Sequence, residues 1–285
     1  MTAPGSPLVT AAWLSEHLGD ADVRVVDTRW YLDGRSGRDA WRAGHVPGAV
    51  WLDVDGDLSG PKGPGPGRHP LPTAEAFAEV RARAGIGDAT RVVAYDDDGG
   101  SRAARLWWLL GHFGHPGGAH VLDGGLAAWT AAGGALETGE ATVGRAPVTV
   151  RAGTRPLASK QEMLALAQRG AVLLDARASE RYQGKREPVD ARAGHIPGAR
   201  SAPYASNLVA PGGAFRGPAE LSARYRALGV SETAKVVAYC GSGVTACHTL
   251  LALTLAGFPD GVLYEGSWSE YAGDPDLPAA TGEDV

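Results

Sequence analysis

Residues 236–251 read VVAYCGSGVTACHTLL: an apolar strand runs into Cys240, then Gly241, Ser242 and Gly243, then a helix-like stretch. The only other cysteine, Cys247, follows seven positions on. A cysteine at such a turn could be packing, half of a disulfide, a metal ligand or a nucleophile. The two glycines let the backbone curl so that successive N–H groups point at one spot. The helix beyond adds unpaired N–H groups and its dipole there. Such a cradle favours an anion, so the sulfur is expected as a thiolate, activated without a neighbouring base.

The rival readings weaken in turn. Inert packing needs no glycine cradle. A metal site needs Cys and His ligands at short spacing, whereas Cys247 and His248 lie one helix away, so no metal is expected. A Cys240–Cys247 disulfide does not suit a cytoplasmic protein. A cysteine phosphatase loop closes with an arginine that grips phosphate bidentately, and residues 241–264 contain none. Cys247 reads as helix packing.

The elements that position this loop belong to an ordinary α/β chain. Its 285 residues are 44% hydrophobic and 21% charged, enough for one large or two medium domains. A net charge of −5 leaves no footprint for nucleic acid or an anionic membrane. MTAPGSPLVTAAWL lacks the charged start and long apolar core of a signal peptide. The apolar run at 244–258 contains His248 and several threonines and stops at Gly257 and Pro259, too short to span a bilayer. A cytoplasmic protein is expected.

The chain also repeats itself. VVDTRWYLDGRSGRDAWRAGHVPGAV (25–50) echoes LLDARASERYQGKREPVDARAGHIPGAR (173–200), and GIGDATRVVAYDDDGG (85–100) echoes GVSETAKVVAYCGSG (229–243). Asp27 maps to Asp175, His45 to His195 and Tyr95 to Tyr239, each near half the chain length apart. Two copies of one domain are expected over 1–140 and 159–285. The Gly, Thr and Pro-rich 141–158 is read as their linker, extended near 147–151.

In the second copy VLLDAR (172–177), KVVAYC (235–240) and GVLYEGS (261–267) read as strands. AELSARYRALG (219–229) and TACHTLLALTLAG (245–257) read as helices ending in glycine. In the first copy ARLWWLLGHFG (104–114) and HVLDGG (120–125) match the last helix and strand. Short apolar strands separated by helices predict a parallel sheet covered on both faces. Ligands of such sheets bind beyond the carboxyl ends of the strands, where Cys240 stands.

With these marks the chain resembles the rhodanese superfamily, and within it the two-domain sulfurtransferases. The resemblance rests on AGHVPGA (43–49), AGHIPGA (193–199), VLDGGLAAW (121–129), YEGSWSEY (264–271) and above all CGSGVTA (240–246), and it covers nearly the whole chain. The loop is similar to that of the mercaptopyruvate-using members; the thiosulfate-using ones carry basic residues where Gly241 and Ser242 stand. The resemblance implies an α/β fold of two tandem rhodanese-like domains, the first inactive because Asp96 occupies the cysteine register. It implies a persulfide on Cys240, formed from mercaptopyruvate or thiosulfate and passed to a thiol, thioredoxin or cyanide, without cofactor or metal. Ser242 and Asp55 are then catalytic. Gly241, Gly243, Val244 and Thr245 line the substrate, Arg181 faces the donor's acid group, and His69 reaches over from the first domain.

Two further expectations concern charge and turns. Asp175 and Arg177 are expected as a structural ion pair, and His45 and His195 as pins for their Gly-x-Pro-Gly turns. The mercaptopyruvate-using members carry a second arginine in a stretch resembling EPEPR. Here GKREPVDARAGH is two residues shorter, with Val189 or Asp190 near that register, leaving Lys185, Arg186 or Arg192 as substitutes. A rhodanese-like binding or regulatory module, the non-enzymatic alternative, would be expected to have lost Cys240.

Overall fold

Apolar runs with no polar alternation, such as VLLD and VVAY, form strands only where both faces are covered, and both runs are wholly buried. The computed structural model describes residues 5–63, 65, 67–259 and 261–283. Met1–Pro4 of the N-terminal stretch and Pro64 and Pro66 of the Gly–Pro stretch lie outside the described residues, as do Asp260 and the last two positions.

The chain divides into two compact units. Unit 1 comprises the described residues through Gly60, then Leu71–Arg155 and Val209–Phe215; unit 2 comprises Pro61–Pro70, Pro156–Leu208 and the chain from Arg216 onward. This grouping departs from a simple cut near 141–158. Pro61–Pro70, early in the sequence, packs with the later unit, so His69 lies in unit 2 and not in the first domain as expected.

In unit 1 the elements run β1 (Leu8–Val9), α1 (Ala11–His17), β2 (Val23–Asp27), α2 (Gly37–Ala43), β3 (Val50–Trp51) and α3 (Ala74–Arg83), then β4 (Arg91–Tyr95), α4 (Ala103–His112), β5 (Ala119–Leu122) and α5 (Gly125–Ala131). The sheet is parallel in the order β1-β5-β4-β2-β3. Val25, Val93, Tyr95, Leu122 and Trp129 belong to its core.

Unit 2 carries α6 (Met163–Gln168), β6 (Val172–Asp175), α7 (Ser179–Tyr182), β7 (Ala199–Ser201) and α8 (Pro218–Ala227), then β8 (Val236–Tyr239), α9 (Val244–Leu255), β9 (Val262–Leu263) and α10 (Ser267–Tyr271). Its sheet, β7-β6-β8-β9, is parallel and repeats the order of β3-β2-β4-β5. Leu157 bridges Leu263 in parallel, beside β9 as β1 lies beside β5. Leu173, Ile196, Val237, Tyr239 and Trp268 pack in its core.

The expected helices, and the strands VLLDAR and KVVAYC, are present within a residue or two. HVLDGG and GVLYEGS overreach: only Ala119–Leu122 and Val262–Leu263 are strand, and the chain then turns into α5 and α10. The stretch near 147–151 is irregular, without strand pairing. Among the described residues no helix is long and apolar enough to cross a membrane.

Asp27 pairs with Tyr95 across unit 1 and Asp175 with Tyr239 across unit 2, so Asp96 and Cys240 occupy the same register. The tyrosine hydroxyls hold equivalent turns, accepting from Val46 N at 3.1 Å and Ile196 N at 3.3 Å. His45 and His195 each place Nδ1 2.8 Å from a carbonyl, of Trp41 and of Tyr182, consistent with their expected role as pins.

Candidate active site

Strand β8 ends at Tyr239, which sets Cys240 at the carboxyl edge of the sheet. Helices α1, α2 and α3 begin with side-chain caps from Thr10, Ser36 and Thr73. Helix α9 begins instead at Gly243, which has no side chain to occupy the first amides. Gly243 has φ 80°, and a Cβ there would lie 2.4 Å from the Glu265 carbonyl oxygen, so glycine is required. Cys240 Sγ accepts from Gly243 N at 3.1 Å and Ser242 N at 3.5 Å. The cradle expected from the glycines is formed, and it holds the sulfur.

The loop backbone is held from the turn after β9. Ser267 Oγ accepts from Cys240 N at 3.0 Å and donates to Tyr264 O at 2.9 Å. Trp268 N donates to Cys240 O and Ser269 N to Gly241 O, each at 2.9 Å. Ser267 has φ 54°, the one positive φ outside glycine among the described residues. That conformation costs about 1–2 kcal/mol for a residue with a Cβ, offset by the two hydroxyl hydrogen bonds. In unit 1 the same place is Gly125 at φ 55°.

Ser242 Oγ lies 2.7 Å from His69 Nδ1, and both residues are buried. The segment carrying His69 rests on the same turn: Arg68 N donates to Ser269 Oγ at 3.1 Å, and a Cβ on Gly67 would come within 2.3 Å of Gly266 O.

Beneath and beside the loop, six charges alternate. Asp175 pairs with Arg177 at 2.6 Å, Arg177 with Glu187 at 3.3 Å, Glu187 with Arg181 at 2.6 Å, and Arg181 with Asp190 at 2.7 Å; the other oxygen of Asp190 pairs with Arg68. The expected Asp175–Arg177 pair is the root of this chain. Burial works against the Arg177 charge, but Asp175 and Glu187 outweigh it and hold its pKa above the ordinary value. Burial pulls Arg68 below its ordinary value and the neighbouring Arg181 adds to that shift, while Cys240 works against it. Both outer guanidiniums flank the loop. A Cβ on Gly241 would lie 3.0 Å from Arg68 Nη2 and 3.5 Å from Arg181 Nη1.

The residues named from sequence thus divide. Cys240, Gly241, Ser242, Gly243, Arg181 and His69 gather in unit 2, and Val244 and Thr245 open α9. Arg181 is held by two buried carboxylates. Asp55 belongs to unit 1, where its carboxylate accepts from Trp30 Nε1 at 2.6 Å. None of the three proposed substitutes for a second arginine is the cation seen at the loop. Lys185 is exposed, Arg186 is exposed and pairs with Glu180, and Arg192 donates to the carbonyls of Leu277 and Asp274. That cation is Arg68, missed in sequence; its one signal was adjacency to His69. Glu187, Asp190 as a bridging carboxylate, and Ser267 were also missed.

In unit 1 the Asp96 carboxylate accepts from its own loop: Asp98 N at 2.8 Å, Gly100 N at 2.9 Å, Arg102 N at 2.7 Å and Ala103 N at 2.9 Å.

A rhodanese-like domain model matches residues 10–132 and again 159–274, and the chain belongs to that family. A Pseudomonas aeruginosa protein whose name is that of a 3-mercaptopyruvate sulfurtransferase is 45% identical over 280 residues, covering 97% of this chain and 98% of the relative. A Mycobacterium tuberculosis protein whose name is that of a thiosulfate sulfurtransferase is 41% identical over 287 residues, covering 99% of each. Among solved structures, the 3-mercaptopyruvate sulfurtransferase from Leishmania major superposes with a TM-score of 0.84 at 32% identity, over 95% of this chain and 75% of that one.

Proposed function

We propose that this chain is a sulfurtransferase that takes sulfur from 3-mercaptopyruvate onto Cys240 and passes it to a thiol. The observation that carries the reading is the loop itself: a sulfur held by the amides of Ser242 and Gly243, with the Ser242 hydroxyl paired to a buried histidine. The Cys240 thiolate attacks the donor's thiol sulfur. The S–S bond forms as the C–S bond breaks, and the bonding pair leaves as the enolate of pyruvate, which takes a proton. Ser242, donating with His69 behind it, stabilises the negative charge that gathers on the ketone oxygen. The loop amides hold the persulfide. An acceptor thiolate then takes the outer sulfur and regenerates the Cys240 thiolate; thioredoxin and cyanide are the acceptors proposed besides small thiols.

Gly241, Gly243, Val244 and Thr245 shape the pocket floor in this reading, and Arg181 grips the donor carboxylate. The catalytic role of Asp55 rests on the family resemblance alone, and Asp55→Asn tests it. The first domain is proposed to carry no sulfur, and the enzyme to work in the cytoplasm.

Thiosulfate is the second reading, favoured by the two guanidiniums beside Gly241. Steady-state rates with the two donors side by side decide. We expect kcat/KM for mercaptopyruvate to be higher by about tenfold, near 1.4 kcal/mol in transition-state binding. A wild-type preference for thiosulfate overturns the donor assignment.

A further inference from the structure

Arg68 and Arg181 both face Gly241, yet neither is a lone cation. One carboxylate, Asp190, bridges them, and Glu187 holds Arg181 from the other side. The side chains of Asp190 and Glu187 are only 2% and 4% exposed, whereas Arg68 keeps 32% of its side-chain surface. Counted from Asp175 to Arg68, three carboxylates meet three guanidiniums. The cluster is therefore balanced before any donor arrives, and only its outer end is exposed enough to receive one.

From this balance, and resting on the sulfurtransferase reading above, we propose that Asp190 is the residue that sets donor charge selectivity. A monocarboxylate donor settling on Arg68 and Arg181 leaves the cluster one charge negative. A dianion such as thiosulfate leaves it two charges negative, beside a thiolate that is itself an anion. Like charges this close, shielded from water, are costly, so the dianion is the poorer donor. The selectivity resides in a carboxylate that touches no reacting atom; Asp190 is a positioning residue acting through the two arginines. Asp190 stands near the register where the mercaptopyruvate-using members carry their second arginine. Arg68 supplies a cation from a different segment, and Asp190 ties it to Arg181.

Two variants move the balance in opposite directions. Asp190→Asn makes the cluster one charge positive, and Arg68→Gln makes it one charge negative. The measurement is kcat and KM for mercaptopyruvate and for thiosulfate, with the transfer from persulfide to thiol followed separately. Asp190→Asn is expected to raise the thiosulfate-to-mercaptopyruvate ratio of kcat/KM about tenfold, chiefly through a lower KM for thiosulfate. Arg68→Gln is expected to lower that ratio by a similar factor, and Asp190→Glu to restore the wild-type ratio. A purely structural role would slow both donors alike. A ratio unchanged within about twofold in Asp190→Asn and Arg68→Gln overturns the inference and leaves the sulfurtransferase reading intact. If one variant does not fold, the direction of change in the other decides. Absence of any persulfide in the wild-type protein with either donor overturns both.

Discussion

After β4 the chain spends residues 96–102 before its helix begins, and after β8 only residues 240–243. The longer turn brings Asp96 back onto its own amides, and four of them donate to its carboxylate. The shorter turn presents two amides to the Cys240 sulfur. Two sheets that share a strand order thus end in the same kind of nest, one filled by the chain's own carboxylate and the other holding the cysteine sulfur proposed to react. A nest of amides is a general anion site; what it does depends on whether the chain supplies the anion. In unit 1 it holds a turn, and in unit 2 it is proposed to stabilise chemistry.

The largest effect should come from exchanging the sulfur. Donor treatment of the parent is expected to add one sulfur's mass, and Cys240→Ser to abolish that addition and cut turnover at least about 10³-fold. Retained turnover would erase the contrast between the loops. Next, Ser242→Ala and His69→Ala should each lower kcat/KM for mercaptopyruvate by about 10²-fold. The double variant should be little worse than either, because the pair acts as one unit; fully additive losses would argue for separate roles.

Asp96→Ala probes the other loop. It leaves four buried or half-buried amides without their acceptor, so chemical unfolding should show a loss of about 2–4 kcal/mol. The mass shift on Cys240 should persist. A stable Asp96→Ala protein would mean that the carboxylate is not what holds that turn. The smallest effects belong to Ser267. Ser267→Ala keeps the unfavourable φ and loses the hydroxyl, whereas Ser267→Gly loses the hydroxyl but relieves the backbone. The alanine variant should be the less stable by about 1 kcal/mol, and both should turn over several-fold more slowly than the parent. Equal stability of the two in thermal unfolding would remove strain from the account.

Much of this was legible from local pattern. Apolar runs and helical spacing placed β6, β8, α8 and α9 closely, and the repeat identified Asp96 and Cys240 as equivalents. The cradle followed from two glycines at a strand end. What escaped was long-range. Arg68 lies in a Gly–Pro-rich stretch with no period to report its direction, and its packing with unit 2 is set by contacts some 200 residues away in sequence, at Ser269. For the same reason the sequence order put His69 in the wrong half. Asp190 looked like a lost arginine because its partners cannot be read from spacing. Ser267 reads from sequence as the end of a strand, since nothing local signals a serine at positive φ.

The grip of residues 264–269 on the cysteine's backbone bears on how portable such a loop is. Cys240 N, Cys240 O and Gly241 O are all engaged by a hydroxyl or an amide of that distant turn. Transplanting CGSGVT alone into the turn after β4 would meet Gly125 where Ser267 should stand, so the new cysteine would lack the hydroxyl that anchors its N–H. A working graft needs two pieces of chain inserted together, the loop and its serine-bearing brace. By the same logic, descent from an active ancestral repeat would leave unit 1 two changes away from function rather than one.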